Sequence, residues 1–130
     1  MVTDKISLYD AIGGKPAVER LTARFYALMD TLAEARAARA IHPEDLSESE
    51  EKFTEYLMMW LGGPQTFIEK RGAPMLRRRH LPFGIGTAEI DGWLTCFRQA
   101  LDETVEQAEL RETIWQNVER LGHHMRNREG

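Results

Sequence analysis

Val18-Glu19-Arg20-Leu21-Thr22-Ala23-Arg24-Phe25-Tyr26-Ala27-Leu28-Met29-Asp30-Thr31-Leu32 decides the fold class of this chain. Its apolar residues Val18, Leu21, Phe25, Leu28 and Leu32 recur at the spacing of one helix face. A half-buried strand would need strict alternation, and no segment shows it. The same helical spacing returns in Phe53, Leu57, Trp60 and Leu61, then in Trp93, Phe97, Ala100, Leu101 and Val105. It returns again in Ile114, Val118, Leu121 and Met125. Together the stripes predict an all-α domain of about four substantial helices.

The breaks between stripes are well marked. Ser7 can cap a short leading helix, and Gly13-Gly14 ends it. Pro16 suits the first turn of the next helix, where its missing N–H is not needed. Gly62-Gly63-Pro64 stops the helix carrying Trp60. Gly84 and Gly86 precede the helix carrying Trp93, and Thr87 is the expected cap. Residues 36–46 and 65–86 read as short helical or irregular pieces. The whole chain, 1–130, reads as one domain, with residues 126–130 a frayed tail.

Composition excludes several classes. A formal net charge of -4 over 130 residues argues against nucleic-acid or anionic-membrane binding, which wants a basic surface. No apolar run approaches the roughly 20 residues of a membrane span. Met1-Val2-Thr3-Asp4-Lys5 lacks the apolar core of a secretory signal. The single cysteine, Cys96, cannot form an intramolecular disulfide and reads as a buried small apolar residue. These features predict a cytoplasmic protein.

The chemistry centres on Met75-Leu76-Arg77-Arg78-Arg79-His80-Leu81-Pro82-Phe83. A neutral imidazole is a strong ligand for iron, zinc or copper, and guanidinium groups suit carboxylates or phosphates. A molecule that needs one metal bond and carries carboxylates is haem; an exposed arginine-rich turn with a bystander histidine is the alternative. Pro74 and Pro82 bound the segment, so any helix there is short. Tyr26 and Trp93 read either as core or as donors facing a pocket. His42, before Pro43-Glu44-Asp45, sits at a loop edge. His123 and His124 are adjacent, so they point apart and suit a helix C-terminus. The repeated Glu-x-x-His of a di-iron bundle is absent, as are a cysteine-rich zinc cluster, a Ser-His-Asp set and a phosphate-binding loop. No Cys-x-x-Cys-His is present for covalent haem attachment.

Several separated motifs, in order, resemble the truncated haemoglobins of group II, the O type. They are Leu8-Tyr9-Asp10-Ala11-Ile12-Gly13-Gly14, Arg24-Phe25-Tyr26, His42-Pro43-Glu44-Asp45-Leu46 and Trp60-Leu61-Gly62-Gly63-Pro64. Arg79-His80-Leu81-Pro82-Phe83, Asp91-Gly92-Trp93-Leu94 and Arg98-Gln99-Ala100 follow, and the likeness runs to about Met125. The resemblance implies a two-over-two helical sandwich around non-covalent haem b (iron protoporphyrin IX). It makes His80 the iron ligand, and Tyr26, His42 and Trp93 the side chains facing a bound gas. Phe25, Ser49, Phe53, Met75, Arg79, Phe83 and Trp93 would contact the cofactor, with Arg79 paired to a propionate. Phe67 stands where the family pattern has a tyrosine reaching a propionate. Phe53 is bulkier than the leucine often found there.

The resemblance further implies binding of dioxygen, nitric oxide, carbon monoxide and peroxide. Slow oxygen release, nitric oxide dioxygenation and peroxidase-like oxidation are the expected activities, with a reductase as electron donor. Tyr26 and His42 are candidate sixth iron ligands in the gas-free protein. A monomer or weak homodimer is expected. A haem-based redox or gas sensor, or an electron-transfer partner, remains an alternative, as does a haem-free helical interaction module.

Overall fold

The periodic segments form helices in the computed structural model, which describes residues 7–72 and 85–125. In chain order these are α1 (Leu8–Ile12), α2 (Lys15–Thr31), a 3-10 turn (Ala33–Ala35), α3 (Arg36–Ala40), α4 (Ser47–Trp60), α5 (Thr66–Arg71), α6 (Thr87–Thr104) and α7 (Ala108–His124). No strand occurs among the described residues. The expected tail, residues 126–130, lies outside them.

Local chemistry sets most of the boundaries. The Ser7 hydroxyl accepts from the Asp10 N–H at 3.1 Å, which satisfies a donor that the first turn leaves unpaired. Gly13 ends α1 at φ 117°, a conformation that side chains with a Cβ resist. Pro16 lies in the first turn of α2. The Tyr9 N–H donates to the Leu61 carbonyl at 2.9 Å, tying the start of the chain to the end of α4.

One cap differs from expectation. Gly86, not Thr87, is the N-cap of α6, and Thr87 is already helical. The Glu89 carboxylate reaches back and accepts from the Gly86 N–H at 2.6 Å. A carboxylate three residues inside the helix thus stabilises the entry, aided by the dipole at that end.

The core lies where α2 crosses α4 and α6, and where α7 covers the other side of α6. Leu21 and Phe25 from α2, Leu57 from α4, Phe97 and Leu101 from α6, and Ile114 and Val118 from α7 are fully buried there. A methyl group on Gly92 would meet the Glu34 carbonyl at 2.9 Å, so glycine lets α6 lie close on the 3-10 turn. Thr22 and Thr54 share a 2.6 Å hydrogen bond between α2 and α4. The Thr54 hydroxyl also lies 2.7 Å from the Glu50 carbonyl. One consistent arrangement has Thr54 donating to that carbonyl and Thr22 donating to Thr54.

The short α5 is held by charge. Lys70 Nζ lies 2.7 Å, and Arg71 Nε 3.0 Å, from the carboxylate of buried Glu55 on α4. Burial alone would raise the Glu55 pKa, but the hydrogen bonds from Lys70 and Arg71 hold it below the ordinary glutamate value. The stabilisation is therefore whole above the unfolded value of about 4.3 and is lost as pH falls through the lower folded value. This pairing anchors Phe67, which α5 carries, against α4.

Candidate functional site

A cavity of about 690 Å³ opens between α2, α4, the start of α6 and the end of α7. Ala38, Ile41, Ile85 and Ile90 form much of its apolar wall. Five residues expected at the site, Tyr26, His42, Ser49, Phe53 and Trp93, line it.

Tyr26 comes from α2 and is only 6% exposed. Its hydroxyl donates to the Ser49 carbonyl at 3.3 Å, bridging α2 to α4. Burial, and then the negative charge of Glu50, push its pKa well above the ordinary tyrosine value. The phenol therefore keeps its proton and acts as a donor.

His42 follows α3. Its Nδ1 lies 2.8 Å from the Ala38 carbonyl, and its ring stands edge-on to Tyr26 with centroids 6.1 Å apart. A carbonyl can only accept, so Nδ1 carries the proton and, in the neutral ring, Nε2 is an acceptor. His42 thus differs from Tyr26 and Trp93, whose O–H and N–H are donors. Neutral His42 receives a proton or a hydrogen bond at Nε2, and donates from there only as the imidazolium.

Trp93 is half-buried on α6. It stacks on Phe97 at 5.8 Å with an interplanar angle of 10°. It also meets Phe53 at 5.6 Å and the edge of Phe25 at 5.4 Å. Among the described residues its indole N–H has no hydrogen-bond acceptor. Phe25 is completely buried and is not among the lining residues. It packs one layer behind them, against Tyr26, Phe53, Trp93 and Phe97. Cys96 is buried as expected, and burial, then the charge of Glu34, push its thiol up to about 11.

Met75, Arg79, His80 and Phe83 lie outside the described residues, as do Arg77 and Arg78. His123 and His124 are exposed at the end of α7. Among the described residues no group of His, Cys, Asp and Glu could hold a metal ion, and no helix is long and apolar enough to cross a membrane.

Sequence reasoning missed Lys52 and Tyr56, which also line the cavity. Their signal was present: Ser49, Lys52, Phe53 and Tyr56 follow one helical face of α4. Lys52 pairs with Glu48 at 2.8 Å. Tyr56 packs edge to face on Phe67, centroids 5.8 Å apart.

The sequence profile of bacterial-like globins matches residues 7–127. The chain belongs to the bacterial-like globin family. Within that family this globin is a group II truncated haemoglobin, with the all-α two-over-two fold. It is similar to the group 2 truncated hemoglobin YjbI of Bacillus subtilis, with 37% identity over 119 residues, covering 92% of this chain and 87% of that protein. The group II 2-on-2 hemoglobin of Agrobacterium tumefaciens superposes with a TM-score of 0.95 at 58% identity, covering 100% of both chains. The group II truncated hemoglobin of Bacillus anthracis superposes with a TM-score of 0.90 at 34% identity, covering 98% of this chain and 96% of that one. As a member of the family, this chain is a haem-binding globin.

Proposed function

We propose that this globin holds haem b in the cavity with His80 as its iron ligand, and that it binds dioxygen, nitric oxide and carbon monoxide there. The observation that carries this reading is the wall shared by Tyr26 and Trp93: two protonated donors lining a largely apolar cavity. The residues present fit the cofactor. An apolar wall suits the porphyrin face, Lys52 gives the rim a cation, and the Tyr56 phenol adds a donor to the lining.

Haem, when bound, supplies an iron at which a diatomic gas binds and electrons are exchanged. The chain's own residues tune that chemistry. Ile41, Ile85, Ile90 and Phe53 exclude water, so a nearby hydrogen bond acts in a low dielectric. Trp93 and Tyr26 donate to the gas as it gains negative charge. Tyr26 must give up the Ser49 carbonyl to do so, so only the difference between the two hydrogen bonds counts. Neutral His42 accepts a proton at Nε2 and can return it, which suits it to peroxide chemistry.

Donors of this kind slow oxygen release, which favours reaction over transport. The activity we assign first is oxidation of nitric oxide by bound dioxygen to nitrate. An electron-donating reductase would be the partner that such turnover requires. Peroxide-driven oxidation is the second activity. The cellular setting is the cytoplasm, and the assembly a monomer or weak homodimer. Mixing the oxygenated protein with nitric oxide tests the first activity: nitrate should form with one equivalent per haem, faster than the gas decays in buffer. Nitric oxide that persists beside the oxygenated protein would refute it.

A further inference from the structure

Arg39, on α3, uses all three nitrogens of its guanidinium. Nε donates to Asp30 Oδ1 at 2.6 Å, Nη1 to the Pro43 carbonyl at 2.8 Å and Nη2 to the Glu44 carbonyl at 2.7 Å. Asp30 is 54% exposed at its side chain, so water screens the ion pair and its own contribution is small. The two carbonyls matter more. Residues 41–46 form no helix, so no backbone ladder serves these acceptors. The planar fork of an arginine spans both with charge-assisted hydrogen bonds, which a point-like ammonium cannot do.

The residue inside this clamp is His42. Its N–H donates to the Arg39 carbonyl at 3.1 Å, and its Nδ1 to the Ala38 carbonyl at 2.8 Å. The next two carbonyls along the chain are the ones that the Arg39 guanidinium holds. Five residues make α3, too few for a helix to persist unaided, so the carbonyl that sets the His42 proton depends on the clamp. Asp30 lies one turn after Tyr26 on the same face of α2. Arg39 therefore ties the His42 loop to the stretch of α2 that carries Tyr26, and the two rings stand 6.1 Å apart. We propose that Arg39 is the positioning residue for His42: its fork fixes the imidazole at the cavity wall beside Tyr26, with the proton on Nδ1. Its consequence for activity rests on the peroxide reading of His42; its geometry does not.

The test compares wild type, Arg39→Lys, Arg39→Gln, His42→Ala and the double variant Arg39→Gln/His42→Ala. The first readout is the imidazole nitrogen NMR spectrum, taken about two pH units above the ordinary histidine value of about 6.5 so that the ring is neutral. It is recorded on the diamagnetic carbon monoxide complex, or on the chain itself if no haem is taken up. Wild-type His42 should show a protonated Nδ1 and a bare Nε2. Arg39→Gln should show the averaged pattern of a ring exchanging between tautomers. Arg39→Lys keeps a cation beside Asp30 but cannot span both carbonyls, so it should resemble Arg39→Gln. The second readout is the rate at which the ferric protein consumes peroxide. His42→Ala should slow it roughly 100-fold and Arg39→Gln about tenfold, while the double variant should be no slower than His42→Ala. A wild-type ring pattern in Arg39→Gln or in Arg39→Lys overturns the proposal. So does an Arg39→Gln loss that persists undiminished in the His42→Ala background, which would mark general loosening. Arg39→Lys decides the matter if Arg39→Gln folds poorly. Equal peroxide rates in wild type and His42→Ala overturn the peroxide reading, and a wild type that takes up no haem overturns the haem reading. In both cases the ring spectrum still decides whether Arg39 positions His42.

Discussion

Trp93→Phe should release oxygen about 10- to 150-fold faster than wild type, measured by stopped-flow displacement with carbon monoxide. The range is the loss of one charge-assisted hydrogen bond, roughly 1.5–3 kcal/mol, read as a dissociation rate. The indole N–H has no acceptor among the described residues, so the wild type breaks no other bond to them when it donates to the gas. Tyr26→Phe should have the smaller effect, because its hydroxyl already serves the Ser49 carbonyl and must exchange one acceptor for another. Carbon monoxide gains little charge on binding, so its release should change far less than that of oxygen in Trp93→Phe. Equal acceleration of both gases would assign the effect to a void beside Phe97 instead. An unchanged oxygen off-rate would remove Trp93 from the mechanism.

Phe25→Ala should destabilise the apoprotein by about 3–5 kcal/mol, the usual cost of removing a fully buried phenyl ring. For a domain of this length that is a fall in Tm of about 10–20 °C. Phe25 touches Tyr26, Phe53, Trp93 and Phe97 with ring centroids at 4.8, 5.3, 5.4 and 5.8 Å. No single neighbour can fill the space it leaves, because the four are anchored on α2, α4 and α6 and approach it from different sides. Phe25→Leu, which keeps most of the volume, should lose much less. A drop of only a few degrees in Phe25→Ala would show that the aromatic cluster is not the centre of the core. The site should suffer too, since three of those neighbours line the cavity.

The helices were legible in the sequence because burial of one stripe imposes a period that survives without coordinates. Ser7, Gly13 and Pro16 were legible because each satisfies a local backbone need. The start of α6 was one residue off: Thr87 looks like a cap, but the Glu89 carboxylate completes the turn at Gly86. Tyr26 and Phe25 are adjacent and therefore point about 100° apart on a helix, and only Tyr26 lines the cavity. The resemblance assigned both. Helix geometry places Tyr26 inward and Phe25 in the layer behind. The proton position on His42 had no sequence signal, since the Ala38 carbonyl fixes it through the fold of α3. Lys52 and Tyr56 were hidden because the apolar stripe through Phe53, Leu57 and Trp60 drew attention to the core face of α4. Their common face emerges only once Ser49 is placed at the cavity.

The most direct test of the central claim is the absorption spectrum of the purified protein, ferric and then reduced, with and without carbon monoxide, for wild type and His80→Ala. A haem spectrum that shifts with carbon monoxide in wild type, and is lost or altered in His80→Ala, is the predicted result. A wild type that stays colourless after haem is added, or a variant with the wild-type spectrum, would contradict it.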